Sequence, residues 1–129
     1  IWVADLEMVA AGFRMVGEAA VADIEIPPGL RGVYASSQRG LYLELLRPFG
    51  AGWVSTMPQS TFAAKMRIDV VDFDSSLPGD SERQLTLGLN FRPTSESVVK
   101  LDYVRGRSRD RFNNPSDVAR FLLSVATYF

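Results

Sequence analysis

The sequence predicts an all-β fold: an antiparallel, up-and-down sheet of the kind that forms transmembrane β-barrels. Three observations carry this prediction. Apolar and polar residues alternate along seven segments, charged residues fall on the polar side of these segments, and long polar connections alternate with short ones along most of the chain. A period of two is typical of strands with one apolar face, and alternating loop lengths are typical of outer-membrane barrels.

The first four strands are predicted from apolar residues at every second position. Residues 13–24 also contain Ala and Met, which favour helices, but the β-branched residues near their end and Pro27-Pro28 beyond them favour a strand. The segment 40–47 alternates less cleanly than the others. The predicted strands and their main apolar positions are 1–9 (Trp2, Leu6, Met8), 13–24 (Phe13, Met15, Val21), 40–47 (Leu41, Leu43, Leu45) and 61–71 (Phe62, Met66, Ile68, Val70).

The last three strands lie in 85–93, 94–103 and 118–129. In "LTLGLNFRP" (85–93) leucines and Phe91 occupy every second position, and the alternation resumes at Val99 after a break. The connections 10–12 and 93–97 are short, whereas 26–39, 72–82 and 106–117 are long and rich in turn-forming residues. The connection 48–60 is long where a short one is expected, so we expect its "FGAGW" to fold back on the rim of the sheet.

The composition limits the available chemistry. The chain has 129 residues, enough for one domain, and its 14 basic residues nearly balance 15 acidic ones, so a bulk polyanion partner such as nucleic acid is not expected. It has no Cys and no His, which excludes disulfides and removes the commonest general base and metal ligand. We therefore expect no enzyme activity, no cofactor and no metal site.

Aromatic residues mark both ends of the predicted apolar face. With the last strand running toward the periplasm, one band falls at the lower strand ends and a second at the upper strand ends, as in the aromatic girdles of membrane barrels. The lower band is Phe13, Phe62, Phe91 and Phe129, and the upper band is Trp2, Tyr103 and Phe121. Alternation alone leaves open a soluble sandwich or lipocalin-like barrel that binds a ligand, with its apolar residues inside.

Charged residues in the middle of the predicted strands are candidates for the wall of an aqueous lumen. A charge that faces hydrocarbon at the bilayer midplane would cost about 2–4 kcal/mol, whereas a charge that faces lumen water costs little. These candidates all fall on the face opposite the apolar one: Glu18, Glu44, Lys65, Arg67, Asp69, Lys100, Asp102 and Arg120. They either set the ion preference of a channel or pair with one another and support the wall.

Two predicted outer connections are highly charged. Arg105, Arg107, Arg109 and Arg111 form a basic cluster in an extracellular loop, which is either a site for anionic solutes and lipopolysaccharide phosphates or a solvated loop. The second connection, 72–82, is acidic, with carboxylates at Asp72, Asp74, Asp80 and Glu82. A calcium site is an alternative there, although the spacing does not fit an EF-hand.

The C-terminal half resembles the last hairpins of Gram-negative porin-like proteins, especially the phosphate-selective porins. The resemblance rests on "RQLTLGLNFRPTSESVVKLDY" (83–103) and "RDRFNNPSDVARFLLSVATYF" (109–129), with Gly88-Leu89-Asn90-Phe91-Arg92-Pro93 followed by Lys100, Asp102 and Tyr103. "GLYLELL" (40–46) is similar to an upstream strand of those proteins. The final Phe129 resembles the signal that outer-membrane assembly machinery reads.

This resemblance implies a single-chain barrel of about sixteen strands in the bacterial outer membrane, of a kind that is often trimeric, for small hydrophilic solutes, anionic ones included. Its partners would be membrane lipid, lipopolysaccharide and the assembly machinery. The chain contains about seven predicted strands and opens in mid-pattern without Met, so we expect it to be the C-terminal part of such a barrel. A soluble all-β ligand-binding domain, and an outer-membrane barrel enzyme or adhesin, remain as alternatives.

Overall fold

A computed structural model describes residues 1–30 and 32–128. They form one sheet of seven antiparallel strands in the order β1 to β7, so each strand pairs with the next along the chain. The all-β, up-and-down part of the prediction is therefore confirmed. The strands are β1 (Trp2–Ala10), β2 (Phe13–Asp23), β3 (Ser37–Phe49), β4 (Thr61–Asp72), β5 (Ser81–Arg92), β6 (Ser97–Arg109) and β7 (Pro115–Thr127), and a single 3₁₀ turn covers Pro28–Leu30.

The sheet is open in the described part of the chain, because β1 and β7 each pair with one neighbour only. The residues 24–30 and 32–36, 73–80 and 110–114 connect strands at one end of the sheet, called the upper end here, and 11–12, 50–60 and 93–96 lie at the lower end. Among the described residues, no helix has the length and apolar character needed to cross a membrane.

Several strands are longer than the alternation predicts. β6 continues to Arg109 and β7 begins at Pro115, so the connection between them has five residues, 110–114, and the prediction of a long loop there is wrong. The physical reason is backbone pairing: the hydrogen-bonded ladder extends to Arg109 and Pro115 although charged side chains have replaced apolar ones. The alternation of apolar and polar residues indicates which way the side chains of a strand face. It does not indicate where the backbone hydrogen bonds of the strand end.

The register places the apolar and polar residues on opposite faces across the whole sheet. One row of directly paired residues contains Met8, Met15, Leu45, Met66, Leu87, Tyr103 and Phe121. The adjacent row, on the opposite face, contains Val9, Arg14, Leu46, Lys65, Gly88, Asp102 and Leu122. Because neighbouring residues of a strand point to opposite faces, the two kinds of row alternate from one end of the sheet to the other.

The two faces differ in exposure although no second layer of the described residues packs on either. On the apolar face, Leu87, Leu101 and Val125 are 45%, 47% and 70% exposed, whereas on the polar face the side chains of Lys65 and Asp102 are only 14% and 18% exposed. In a single-layered sheet this difference indicates curvature toward the polar side. The polar face is called the concave face below, and the apolar face the convex face.

The apolar residues of the convex face form a band whose upper limit runs obliquely across the rows. From β7 to β1 this limit is Phe121, Tyr103, Leu85, Val70, Leu41, Val21 and Trp2. The rings of Tyr103 and Phe121 contact each other in a tilted arrangement, with 5.0 Å between their centroids, and these residues lie at the midpoints of β6 and β7. The prediction that they lie at the upper strand ends is therefore wrong, although they do border the apolar band, because β6 and β7 continue above it.

Candidate functional site

The concave face brings together all eight charged residues predicted to line a lumen. Glu18 lies on β2, Glu44 on β3 and Arg120 on β7, and β4 and β6 supply the others. All eight belong to four rows of directly paired residues on this face. The four rows are those that contain Glu18, Glu44, Lys65 and Lys100. The structure thus shows that they share a face, and their role remains a prediction.

Lys65 and Asp102 form an ion pair that crosses an entire strand. Lys65 on β4 and Asp102 on β6 are both paired with Gly88 on the intervening β5, and Lys65 Nζ donates to Asp102 Oδ2 at 2.8 Å. A Cβ at residue 88 would collide with Asp102 Oδ1 and would lie 2.7 Å from Lys65 Cε. Glycine is needed at this position because the ion pair occupies the space of a side chain.

Arg67 is held by a second group of concave residues. Its guanidinium donates from Nη2 to Asp69 Oδ1 at 2.6 Å and lies 4.0 Å from the centroid of the Tyr42 ring. Glu44 Oε2 is 4.0 Å from Arg67 Nη1, at the limit of an ion pair. Arg67 is thus neutralised locally and stacked, so it contributes little free positive charge to the concave face.

The remaining charged candidates are less constrained. Within residues 1–30 and 32–128, Glu18 and Lys100 form no ion pair, and Arg120 Nη2 makes only a long hydrogen bond of 3.4 Å to Gln84 Oε1. Glu18 is paired in register with Asp5, a like charge. The charges of these groups, unlike those of Lys65 and Arg67, are not compensated by an ion pair in the described residues.

Two uncharged polar residues of the concave face are not among the predicted site residues. Thr86 and Asn90 on β5 are buried, and Asn90 Oδ1 has no hydrogen-bond partner in the described structure. Thr86, Gly88 and Asn90 alternate with the leucines of β5, so the period of two already places them on the polar face. The sequence-based choice of lumen residues was limited to charged side chains and therefore left them out. The concave face also contains apolar side chains such as Val104 and Leu122, so it is mixed rather than uniformly polar.

The prediction that the four arginines lie in an extracellular loop is wrong for three of them. Arg105, Arg107 and Arg109 belong to β6, where they alternate with Val104, Gly106 and Ser108 and share the convex face with Tyr103. Only Arg111 lies in the connection, where its Nη2 donates to the carbonyl oxygen of Gly32 at 2.9 Å. The alternation of arginine with small residues here reflects a strand that continues above the apolar band.

Asp110 organises the short β6–β7 connection. Its Oδ1 accepts hydrogen bonds from the backbone N–H groups of Phe112 (2.9 Å) and Asn114 (2.8 Å), and its Oδ2 accepts from Asn114 Nδ2 (2.9 Å). The hydrogen bond from the Asn114 side chain is the main cause that lowers the pKa of Asp110 below its ordinary value, followed by the backbone donors. The carboxylate form therefore stabilises this turn, and the contribution is lost as the pH falls through the lowered pKa.

The acidic connection does not form a metal centre in the described residues. Asp72 pairs with Arg39 at 2.9 Å, and Asp74 Oδ1 accepts hydrogen bonds from the N–H and Oγ of Ser76. No group of three carboxylates comes close enough to hold an ion within the described ranges. The calcium alternative therefore has no support from the geometry.

Aromatic residues cluster at the lower end of the convex face. Phe62 stacks on Phe91 and on Phe49, with 4.8 Å and 5.8 Å between the ring centroids. Trp53 from the connection 50–60 packs edge-on against Phe49, with 5.7 Å between the ring centroids. The prediction that this connection folds back on the rim is confirmed. Phe129, the predicted assembly signal, lies outside the described residues.

No family model matches this chain, and comparisons with curated proteins and with solved structures found no significant match. The resemblance to phosphate-selective porins therefore stays a prediction.

Proposed function

We propose that the chain is part of a porin-like channel of the bacterial outer membrane, in which lipid covers the convex face and the concave face lines a water-filled pore. The pore would pass small hydrophilic solutes by diffusion. The observation that carries the proposal is the distribution of exposure: Leu87, Leu101 and Val125 are open on one face, while Lys65 and Asp102 are sheltered on the other. A barrel wall between hydrocarbon and lumen water has this arrangement.

The obliquity of the apolar band gives quantitative support. Its upper limit moves by six residues, from the row shared by Phe121 and Met8 to the row of Trp2, over six strand-to-strand steps. A strand rises about 3.3 Å per residue, and neighbouring strands lie about 4.8 Å apart. If the apolar band follows a flat membrane, its oblique upper limit corresponds to strands that tilt by about 35° from the membrane normal. Strands of outer-membrane barrels tilt by about 35–45°. The lower limit is less oblique, because the turns end the strands there.

The width of the band is also suitable. On β4 it extends from Phe62 to Val70, a length of about 26 Å at about 3.3 Å per residue. At a tilt of about 35° this corresponds to about 21 Å along the membrane normal, near the apolar height of about 25 Å typical of such barrels. On β5 and β6 the band is narrower, since Arg83 and Arg105 occupy the convex positions next to Leu85 and Tyr103.

A soluble ligand-binding barrel or sandwich has less support. Such a fold would bury the alternating apolar residues against a second layer or a ligand. Among the described residues, the only buried hydrophobic side chains are Ala63, Val98 and Val104, and all three lie on the concave face by register. In the described part of the chain, no second layer of protein covers the convex side chains, which favours lipid as their solvent.

The proposal includes closure by further strands. Both edges of the sheet present unpaired backbone groups, which cannot remain open in hydrocarbon. Seven strands are also fewer than the eight or more of bacterial barrels. We propose that additional strands of the same protein pair with β1 and β7 to complete a barrel of about sixteen strands, and that trimers form as in the porins that the sequence resembles.

Ion preference would depend on the unpaired charges. Lys65 and Arg67 are neutralised by neighbouring carboxylates, so they favour anionic solutes less than their residue types imply. Among the predicted lumen residues, Lys100 and Arg120 are the cationic groups without an ion pair in the described structure, and Glu18 on β2 is the acidic one. The net preference is therefore set by Lys100, Arg120 and Glu18 rather than by the more sheltered pairs.

Planar-bilayer recording of the full-length protein tests this function. We expect stepwise ohmic conductance, and we expect Lys100→Gln to shift the reversal potential in a salt gradient toward cation preference. Arg47→Gln, which removes one charge from the convex face above the Phe13 ring, is the matched control and should leave the reversal potential unchanged. Absence of conductance from correctly folded protein would overturn the proposal, and equal shifts in both variants would contradict the assigned pore wall.

A further inference from the structure

Four arginines occupy adjoining convex positions directly above the apolar band, and they are called the arginine patch here. Arg83 lies on β5, and Arg105, Arg107 and Arg109 lie at every second position of β6. Arg105 follows Tyr103 on this face, and Arg83 precedes Leu85. All four are at least partly exposed, and they are unused by the channel, whose wall is the concave face.

The patch has a net positive charge, because its four arginines meet a single carboxylate. The one acidic residue opposite it at a convex register position is Asp117, whose Oδ1 is 3.7 Å from Arg107 Nε in an exposed pair. Arg83 and Arg105 form no ion pair in the described part of the chain. Arg83 is paired directly with Arg107 in the ladder, and like charges in this relation destabilise a sheet unless an anion lies between them.

The patch also has a shape that accepts an anion. Pro78, Ser81, Arg83, Arg107 and Arg109 line a surface concavity of about 290 Å³, which is ample for a phosphate group with part of its substituent. Guanidinium groups bind phosphate oxygens in a bidentate manner, with short and strong hydrogen bonds. Arg109 is already oriented, because its Nη1 donates to Asn113 Oδ1 at 2.6 Å.

The position relative to the apolar band identifies the source of the anion. If lipid covers the convex face, residues immediately above Tyr103 and Leu85 lie at the depth of the headgroups. A channel solute would encounter the concave face instead. Phosphate at this depth belongs to an amphiphile whose acyl chains contact the apolar band below.

We propose that the arginine patch binds the phosphate of an anionic lipid headgroup, with Arg83, Arg107 and Arg109 as the phosphate ligands and Arg105 at the boundary with the acyl chains. This inference rests on the proposed function, because it requires a convex face in contact with lipid. The phosphorylated glycolipid of the outer leaflet and ordinary anionic phospholipids share this chemistry, and a phosphomonoester, with its larger charge, would bind more tightly.

The test uses full-length protein folded in detergent micelles and titrated with lipid A, which carries phosphomonoesters. The matched arms are lipid A without its phosphates, phosphatidylglycerol and inorganic phosphate alone. Binding is measured by the rise in melting temperature and by mass spectrometry of the intact complex. The test variant is Arg83→Gln/Arg107→Gln/Arg109→Gln, and the control, Arg14→Gln/Arg47→Gln/Arg92→Gln, removes the same charge from other parts of the sheet.

We expect the test variant to bind lipid A at least about tenfold more weakly, since several charge-assisted hydrogen bonds are lost, and the control variant to change by less than about twofold. Replacement of the three arginines by lysine keeps the charge and the fold but should still weaken binding, because the bidentate geometry is lost. Equal binding by test and control variants would overturn the proposal. Equal binding of lipid A and its dephosphorylated form, or tight binding of inorganic phosphate alone, would overturn the assignment to a lipid phosphate.

The outcome can be separated from that of the channel test. If the protein conducts but binds lipid A equally well without the arginines, the lipid site is contradicted and the channel is not. If the protein binds lipid A through the arginines but does not conduct, the channel is contradicted and the lipid-facing surface is not.

Discussion

At the scale of single residues, the ion pair of Lys65 with Asp102 depends on the absence of a side chain between them. The two groups meet over Gly88 at 2.8 Å. We expect Gly88→Ala to destabilise the folded protein because its Cβ would displace both charged groups. The matched control is Gly40→Ala on β3, where a Cβ meets Val70 and Val71 at ordinary distances of 3.6 and 3.7 Å.

Urea titration of the protein in lipid bilayers, followed by tryptophan fluorescence, measures both glycine variants. The exchange of glycine for alanine in a strand is favourable by about 0.5–1 kcal/mol in itself, so Gly40→Ala should be neutral or stabilising. Gly88→Ala should be less stable than Gly40→Ala by about 1–3 kcal/mol. Identical free energies of unfolding would show that the ion pair does not occupy the position of the missing side chain.

The same ion pair permits a double-mutant cycle. Asp102→Asn leaves the ammonium of Lys65, which is largely sheltered, without its counter-charge and should cost about 1–3 kcal/mol. Adding Lys65→Gln should recover part of this loss, because the unpaired charge is then removed. Strictly additive free energies of unfolding in the two single variants and the double variant would contradict a direct interaction.

At the scale of the strand, the two faces of β5 should respond oppositely to charge. Leu87→Arg places a cation at the centre of the convex face, where hydrocarbon would impose a cost of about 2–4 kcal/mol, so folding into lipid vesicles should fail or slow markedly. Gln84→Arg is the control, because Gln84 lies on the concave face beside Asp69 and Gly106. Equal folding yields for both, measured by the heat-dependent shift in electrophoretic mobility, would refute the assigned facing.

Alternation in the sequence was sufficient to predict the faces of the strands but not their ends. The positions of Leu85, Leu87 and Leu89 follow from the period of two alone, whereas β6 extends to Arg109 through backbone pairing that side-chain type does not report. The arginines of β6 were assigned to a loop for this reason. The faces of Lys65 and Asp102 were predictable, but their pairing across Gly88 required the register.

At the scale of the whole sheet, the oblique apolar band relates strand tilt to the membrane. The sequence placed Trp2, Tyr103 and Phe121 on one face, but their common boundary becomes visible only when the register aligns Phe121 with Met8, six residues from Trp2. Segment ends could not reveal this boundary, because a layer that cuts tilted strands crosses each one at a different residue.

The central claim is that lipid solvates the convex face and water the concave face, and nitroxide scanning of β5 tests it most directly. The chain has no Cys, so single cysteines at 84, 85, 86, 87, 89 and 90 can each carry one label in the bilayer-embedded protein. We expect labels at 85, 87 and 89 to collide mainly with oxygen, which concentrates in hydrocarbon, and a label at 84 to collide mainly with a water-soluble nickel complex. Labels at 86 and 90, which are buried on the concave face, should collide less with oxygen than their convex neighbours. Low accessibility to both reagents at 85, 87 and 89 would place these residues inside a protein core and would contradict the account.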